Sequence, residues 1–214
     1  MIGLALTEAR LQYGGWSERA APRQAEELID QALRLAPQNT HAHFVKAMIN
    51  ARVKQQFELG LFHFEKALAL NRNYANVLVN IGFTKRFMGR AAEGLRHFER
   101  ALRLSPRDPQ LGQWYRYYGA SLLDLRRYDE AIEWLNRALV ADPSVEFVYR
   151  SLISALAHSG RMAEARQHLT AFIAIRPGAS LRADRSLMEP LFHPDAAHVV
   201  DHMFDGLRKA GLPE

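Results

Sequence analysis

The stretch GQWYRYYGASLLDLRRYDEAIEWLNRALVADP, residues 112–143, reads as two helices joined by a short hinge. In its first half Tyr115, Tyr118, Gly119 and Leu122 fall at i, i+3, i+4 and i+7, one face of a helix. In its second half Ala131, Leu135, Ala138 and Leu139 keep a helical spacing, and Pro143 ends the run. The hinge is Arg126-Arg127-Tyr128-Asp129. Its arginines close the first helix, and Asp129 and Glu130 open the second, so both helix dipoles are matched. Gly119 and Ala131 are small where the two helices of a hairpin must approach closely.

The pattern recurs along the chain. Stepping back from Ala138 by 37, then 34, then 35 residues meets Ala101, Ala67 and Ala32, and stepping forward by 34 meets Phe172. A second place is always small: Ala25, Gly60, Gly94, Ala131 and Ala165. A closing place reads Pro37, Arg72, Pro106, Pro143 and Pro177. This arrangement resembles the tetratricopeptide repeat, a 34-residue helix–turn–helix with aromatic, glycine, alanine and proline places at set offsets. On that pattern Tyr115 takes the tryptophan place, Gly119 the glycine and Tyr128 the hinge aromatic. Ala131 and Ala138 take the two alanines, and Pro143 the proline. The resemblance implies an all-α fold, a right-handed α-solenoid of about five repeats over residues 1–177, near 2–39, 41–74, 75–108, 112–145 and 146–179.

Individual units depart from the pattern in readable ways. The first has a helix over about 2–13 broken by Gly14-Gly15, then a second helix entered through Pro22. It starts without a polar capping segment, so the expectation is a piece of a longer protein, with self-association through that repeat as an alternative. The second unit has Met48 and Arg72 in place of glycine and proline, and helical periodicity from His41 to Gln55. Gly89 and Gly160 stand at equivalent helix-closing places in the third and fifth units. After Pro177 a connector with Pro190 leads to a last helix opened by Pro194-Asp195 and stopped by Gly211. Val200, Met203, Phe204 and Leu207 make one apolar stripe on it, so 178–214 is read as connector and C-terminal capping helix. A membrane-surface or partner-docking helix is the alternative. The tail, with Pro194-Asp195 and residues 206–214, is also similar to the C-terminal end of bacterial proteins in which such repeats follow a class III adenylate or guanylate cyclase domain or a winged helix. Tyr13 to Ser17 is similar to the opening of their repeat region. Neither catalytic cyclase nor winged-helix motifs occur here, so only a regulatory role is implied.

Composition sets limits. The chain has 214 residues, 48% hydrophobic and 24% charged, enough for a sizeable core. With no cysteine, thiolate and disulfide chemistry are excluded. No apolar run approaches the roughly 18 residues of a membrane span, and Met1 to Ala9 lacks a basic leader segment. A cytoplasmic location is expected. The formal charge of +5 is spread among interleaved acids, so a mixed solvated surface is expected ahead of a nucleic-acid stripe.

No glycine-rich phosphate loop, nucleophile elbow or paired carboxylates appear, so neither enzyme activity nor a cofactor is expected. His198 and His202, with His193 nearby, have a spacing that can bind zinc but lack the HExxH glutamate, and are read as a polar face. His63, His97 and His168 recur at one packing place, with Trp134 in the fourth unit.

The functional surface implied by the resemblance is the concave one, lined by first helices. Projection places there Lys46, Ile49, Arg52, Asn80, Phe83, Arg86, Phe87, Gln113, Arg116, Tyr117, Phe147 and Arg150. Asp124 is the acid among them. Such a groove fits a partner protein or peptide with acidic and apolar side chains, since aromatics and arginine anchor interfaces and arginine grips carboxylates. Nucleic-acid binding through the same face is a weaker alternative. The chaperone-binding clamp of the family is not matched: Asn80 fits one place, but Val45, Ile49, Gln113 and Tyr117 occupy others.

Overall fold

The helix of residues 91–104 shows how the chain builds its units. Ala91, Gly94, Leu95, Phe98 and Ala101 are buried on one stripe, while Glu93, Arg96 and Arg103 face water. Burying a side chain such as Phe98 stabilises by roughly 1.5–3 kcal/mol, and each second helix repeats this one-sided design. First helices differ. In residues 75–87 Val77, Leu78, Val79, Ile81, Phe83 and Phe87 are all buried, so that helix is covered on nearly every side.

The computed structural model describes residues 21–142 and 146–214, and no strand occurs among them. The expected 2–13 helix, the Gly14-Gly15 break, the similarity of residues 13–17 and the self-associating face lie outside the described residues. The described α-helices are α1 (Ala21–Leu35), α2 (Thr40–Met48), α3 (Phe57–Leu70), α4 (Ala75–Phe87), α5 (Ala91–Leu104) and α6 (Leu111–Asp124). They continue as α7 (Tyr128–Ala141), α8 (Glu146–His158), α9 (Met162–Ile175), α10 (Leu181–Met188) and α11 (Ala197–Ala210). The pairs α2/α3, α4/α5, α6/α7 and α8/α9 are the hairpins of an α-solenoid. First helices α4, α6 and α8 touch in succession and form its inner layer.

Four hinge residues share one register and one backbone state: Gln55, Gly89, Arg126 and Gly160 have φ of 54°, 73°, 60° and 81°. This left-handed residue closes each first helix. Glycine adopts it freely, whereas Gln55 and Arg126 hold it at a cost of about 1–2 kcal/mol. In the fourth unit the hinge is shorter than its sequence suggests, because Tyr128 and Asp129 already belong to α7. The helices cross closely at the small places: a Cβ on Gly94 would stand 2.8 Å from the Gly82 carbonyl oxygen. At the start of α5, α7 and α9 one ion pair repeats, Arg90–Glu93, Arg127–Glu130 and Arg161–Glu164, each spanning i to i+3.

Two local features differ from expectation. The second unit's first helix does not run evenly to Gln55. It passes into a π-turn over Ile49–Val53, where the Lys54 N–H donates to the Ile49 carbonyl at 3.0 Å. The connector is not irregular throughout either, since residues 181–188 form α10, with Ser180 accepting from the Ala183 N–H at 3.1 Å.

Helix α11 buries Val200, Met203, Phe204 and Leu207, and Gly211 (φ 100°) closes it. It packs mainly on α8 and reaches α6 and α9. It therefore covers the fifth unit from the inner side of the solenoid, where Gly206 meets Ser154 so closely that a Cβ would stand 2.7 Å from the Ser154 Cα.

Candidate partner-binding groove

The π-turn shifts the end of the second unit's first helix, and Arg52 leans over the inner face of α4. Its guanidinium lies 4.0 Å from the Phe83 ring centre, and its Nη2 donates to Asn80 Oδ1 at 3.1 Å. Phe83 stacks on Tyr117 with ring centres 3.6 Å apart, and the Arg116 guanidinium lies beside the pair, 4.4 Å from the Tyr117 ring centre and 5.9 Å from that of Phe83. The Arg116 guanidinium is also 5.6 Å from the Phe147 ring. The structure thus brings Arg52, Phe83, Tyr117, Arg116 and Phe147 into one row across four units. Gln113 stands beside it, its side-chain amide donating to the Tyr117 hydroxyl at 2.8 Å.

The twelve projected residues are not equally open. Phe83, Phe87 and Tyr117 are floor rather than surface, each less than 10% exposed, because arginines and the C-terminal segment cover them. Phe147 and Gln113 are exposed, and Arg52 and Arg116 half-buried. Ile49 is in the core, at 1% exposure. Lys46 is buried and paired with Glu26 and Asp30, at 3.0 and 2.7 Å. Arg86 is held by Asp124 at 2.7 Å, and Arg150 donates from Nε to Asp184 Oδ1 at 2.6 Å. Burial pushes the Asp124 carboxyl up to about 6, against the opposing pull of Arg86.

Arg116 has no carboxylate partner among the described residues. Burial draws its pKa down, opposed by Tyr117, and the like charges of Arg86 and Arg52 add to the fall. An anion entering the groove would offset this fall, because an opposite charge favours the charged guanidinium.

The C-terminal segment supplies the other wall. Phe192 meets Phe87 edge-on at 4.9 Å, with the Arg86 guanidinium 5.1 Å from its ring. The His193 N–H donates to the Phe87 carbonyl at 2.8 Å. Projection missed Asp184, Phe192, His193 and Gln55, which all act across long sequence separations. The one available signal was Phe192-His193 between Pro190 and Pro194, a short extended insert between helical segments.

The histidines divide among separate tasks. His202 stacks on His158 at 4.0 Å and lies 3.2 Å from the Tyr128 hydroxyl, whereas His198 approaches Gly89 instead. No group of three or more metal-ligating side chains occurs among the described residues. Burial, the leading cause in each case, lowers His63, His97 and His202 to about 4. Between about pH 6.5 and 4 the unfolded chain therefore binds protons that the folded chain refuses. The stability these histidines contribute is full above about 6.5 and is lost as pH falls towards 4. Asp124 acts oppositely, its burial cost easing below about pH 6, but it is one group against three. Melting temperature by circular dichroism is expected to fall from pH 7 to pH 5. A flat or rising profile would contradict this balance.

The tetratricopeptide repeat family model matches residues 73–143, which hold α4 to α7 and their left-handed hinges. No curated protein matches the chain. Among solved structures, the type IV pilus biogenesis factor PilW is similar over 96% of this chain and 91% of its own, at TM-score 0.71 and 20% identity. PilF of Pseudomonas aeruginosa is similar over 98% and 92%, at TM-score 0.68 and 19% identity. YrrB, a tetratricopeptide repeat protein with an unusual peptide-binding site, is similar over 85% and 95%, at TM-score 0.60 and 20% identity. These likenesses show the α-solenoid fold beyond the segment matched by the family model. No helix among the described residues is long and apolar enough to cross a membrane.

Proposed function

We propose that this tetratricopeptide repeat chain is a non-catalytic interaction scaffold whose inner groove takes a partner protein's segment with acidic and apolar side chains. The observation that carries this is Arg116. It is half-buried between the Tyr117 and Phe147 rings, without a carboxylate among the described residues, while Arg86 and Arg150 on the same face are neutralised by Asp124 and Asp184. A partner carboxylate would complete Arg116, and an apolar side chain would cover the exposed Phe147. That YrrB, of similar fold, has a peptide-binding site supports the reading. The resemblance of residues 192–214 to the tails of cyclase-linked and winged-helix regulators supports placing the scaffold in signalling.

The test is fluorescence anisotropy with labelled peptides alternating glutamate with leucine or phenylalanine, against the same peptides with glutamine. A hydrogen bond to a charged group contributes about 1.5–3 kcal/mol, so Arg116→Ala is expected to weaken the acidic peptides roughly tenfold or more. Added salt should weaken them too. Equal binding of the glutamine peptides, or an Arg116→Ala variant that binds like the parent, would overturn the proposal.

A further inference from the structure

The aromatic row of the groove does not stop at Phe83. It continues through Phe87, 4.5 Å from Phe83, to Phe192 of the C-terminal segment. Residues 190–193 meet the solenoid as a bound peptide would. Phe192 and His193 are extended, with φ/ψ of −100°/150° and −62°/144°. One aromatic side chain, Phe192, is inserted and is 6% exposed. One main-chain hydrogen bond, from the His193 N–H, reaches the Phe87 carbonyl, an acceptor that the end of α4 leaves without a helical donor. The side-chain amide of Gln55 donates to the Pro190 carbonyl, and the His193 ring lies edge-on to Phe57 at 6.3 Å. The receiving residues come from the second and third units. Pro190 and Leu191 belong to a short 3-10 turn, Glu189–Leu191, Phe192 and His193 form the extended link to a second turn, Pro194–Ala196, and α10 and α11 are anchored elsewhere, on Arg150 and on α8.

A tether of this kind gives a segment an effective concentration of about millimolar, so weak intrinsic affinity suffices to keep it in place. We propose that Gln55, Phe57, Arg86 and Phe87 form a docking pocket for an extended segment presenting one aromatic side chain. The chain's own residues 190–193 fill this pocket in cis, and a partner segment of the same kind enters by displacing them. The proposal rests on reading the inner face as the partner surface, and it adds that half of that surface is closed until a competitor arrives. The acidic subsite at Arg116 stays open at the other end of the aromatic row.

The test uses the full chain and, as probe, a peptide with the sequence of residues 187–196, LMEPLFHPDA. Backbone amide resonances of Gln55, Phe57, Phe87 and Gly89 are followed as the probe is raised to about 0.1 mM, roughly a tenth of the tether's effective concentration. In the parent protein they are expected to stay in place. In Phe192→Ala, where the cis side chain is removed, they are expected to move. A probe whose phenylalanine is replaced by alanine should move neither. His193→Pro removes the main-chain donor to the Phe87 carbonyl from the cis segment at a φ that proline adopts, leaves the pocket residues in place, and serves as a second variant should Phe192→Ala lose its helical spectrum. Two results would overturn the proposal: folded variants that ignore the probe, or a parent protein that responds as strongly as they do. Arg116→Ala in the Phe192→Ala background should leave the response unchanged. Failure at Arg116 and failure at this pocket are therefore separately visible.

Discussion

Asp184→Ala is expected to lower the free energy of unfolding by about 3–5 kcal/mol, the scale for stripping one partner from a buried ion pair. Arg150 is 2% exposed and Asp184 fully buried. The guanidinium lies over the Phe172 ring at 5.0 Å, leaving water little access. Arg150 Nε donates to Asp184 Oδ1 at 2.6 Å, and the Ser180 N–H donates to the other carboxylate oxygen at 3.2 Å. Asp184 thus fixes the start of α10 as well as neutralising Arg150. Glu146, 3.8 Å from Arg150, is the remaining acid nearby and is too far to replace it well. Urea unfolding followed by circular dichroism reads the effect as a drop in midpoint at constant slope. The double variant Arg150→Met with Asp184→Leu should recover much of the loss, because apolar replacement of a buried pair is often neutral. A loss below about 1 kcal/mol in Asp184→Ala, the range of surface pairs, would contradict this role.

Gly206→Ala is expected to be destabilising, although alanine is the better helix former. In an open helix the exchange would gain about 0.5–1 kcal/mol. Here the new methyl would meet the backbone of α8, 2.7 Å from the Ser154 Cα, and overpacking of this sort costs about 1–3 kcal/mol. The collision is with main chain, so no side-chain rotation relieves it. Helix α11 must lift from the inner face, and the amides of α11 should exchange faster in hydrogen-exchange measurements. A variant as stable as the parent, or more so, would mean that α11 sits less closely than described.

Periodicity made the hairpins legible. The small places at 25, 60, 94, 131 and 165, the turns at Gly89 and Gly160, and the apolar stripe of α11 all follow from local spacing, which governs which face of a helix can be buried. What local spacing does not carry is pairing at a distance. Arg150 reads as one more groove arginine until Asp184, 34 residues later in sequence, is brought against it. Arg86 and Asp124 sit at the ends of successive first helices, and Asp124 reads as a groove acid although it neutralises its neighbour in the core.

The π-turn at Ile49–Val53 shows a second limit. Arg52 and Arg86 occupy matching places when units are aligned by a 34-residue step. One extra residue in the turn puts Arg52 over Phe83 in the groove, while Arg86 stays buried. Nor does the stripe of α11 say which side of the solenoid it covers. Gly206 opposite Ser154 decides that, and a single glycine in a helix has no distinctive pattern of its own.

The C-terminal segment lies along the inner groove and closes its second- and third-unit end, a placement that one crosslink can check. The chain has no native cysteine, so one pair can be placed without interference. Gln55→Cys with Leu191→Cys, treated with a short bis-maleimide and read by intact mass and gel mobility, tests this placement directly. Rapid crosslinking within one molecule is expected at low protein concentration, while Arg103→Cys with Leu191→Cys, with one residue exposed on the outer helix α5, is expected to stay open. No intramolecular product from the first pair, or equal products from both, would contradict it.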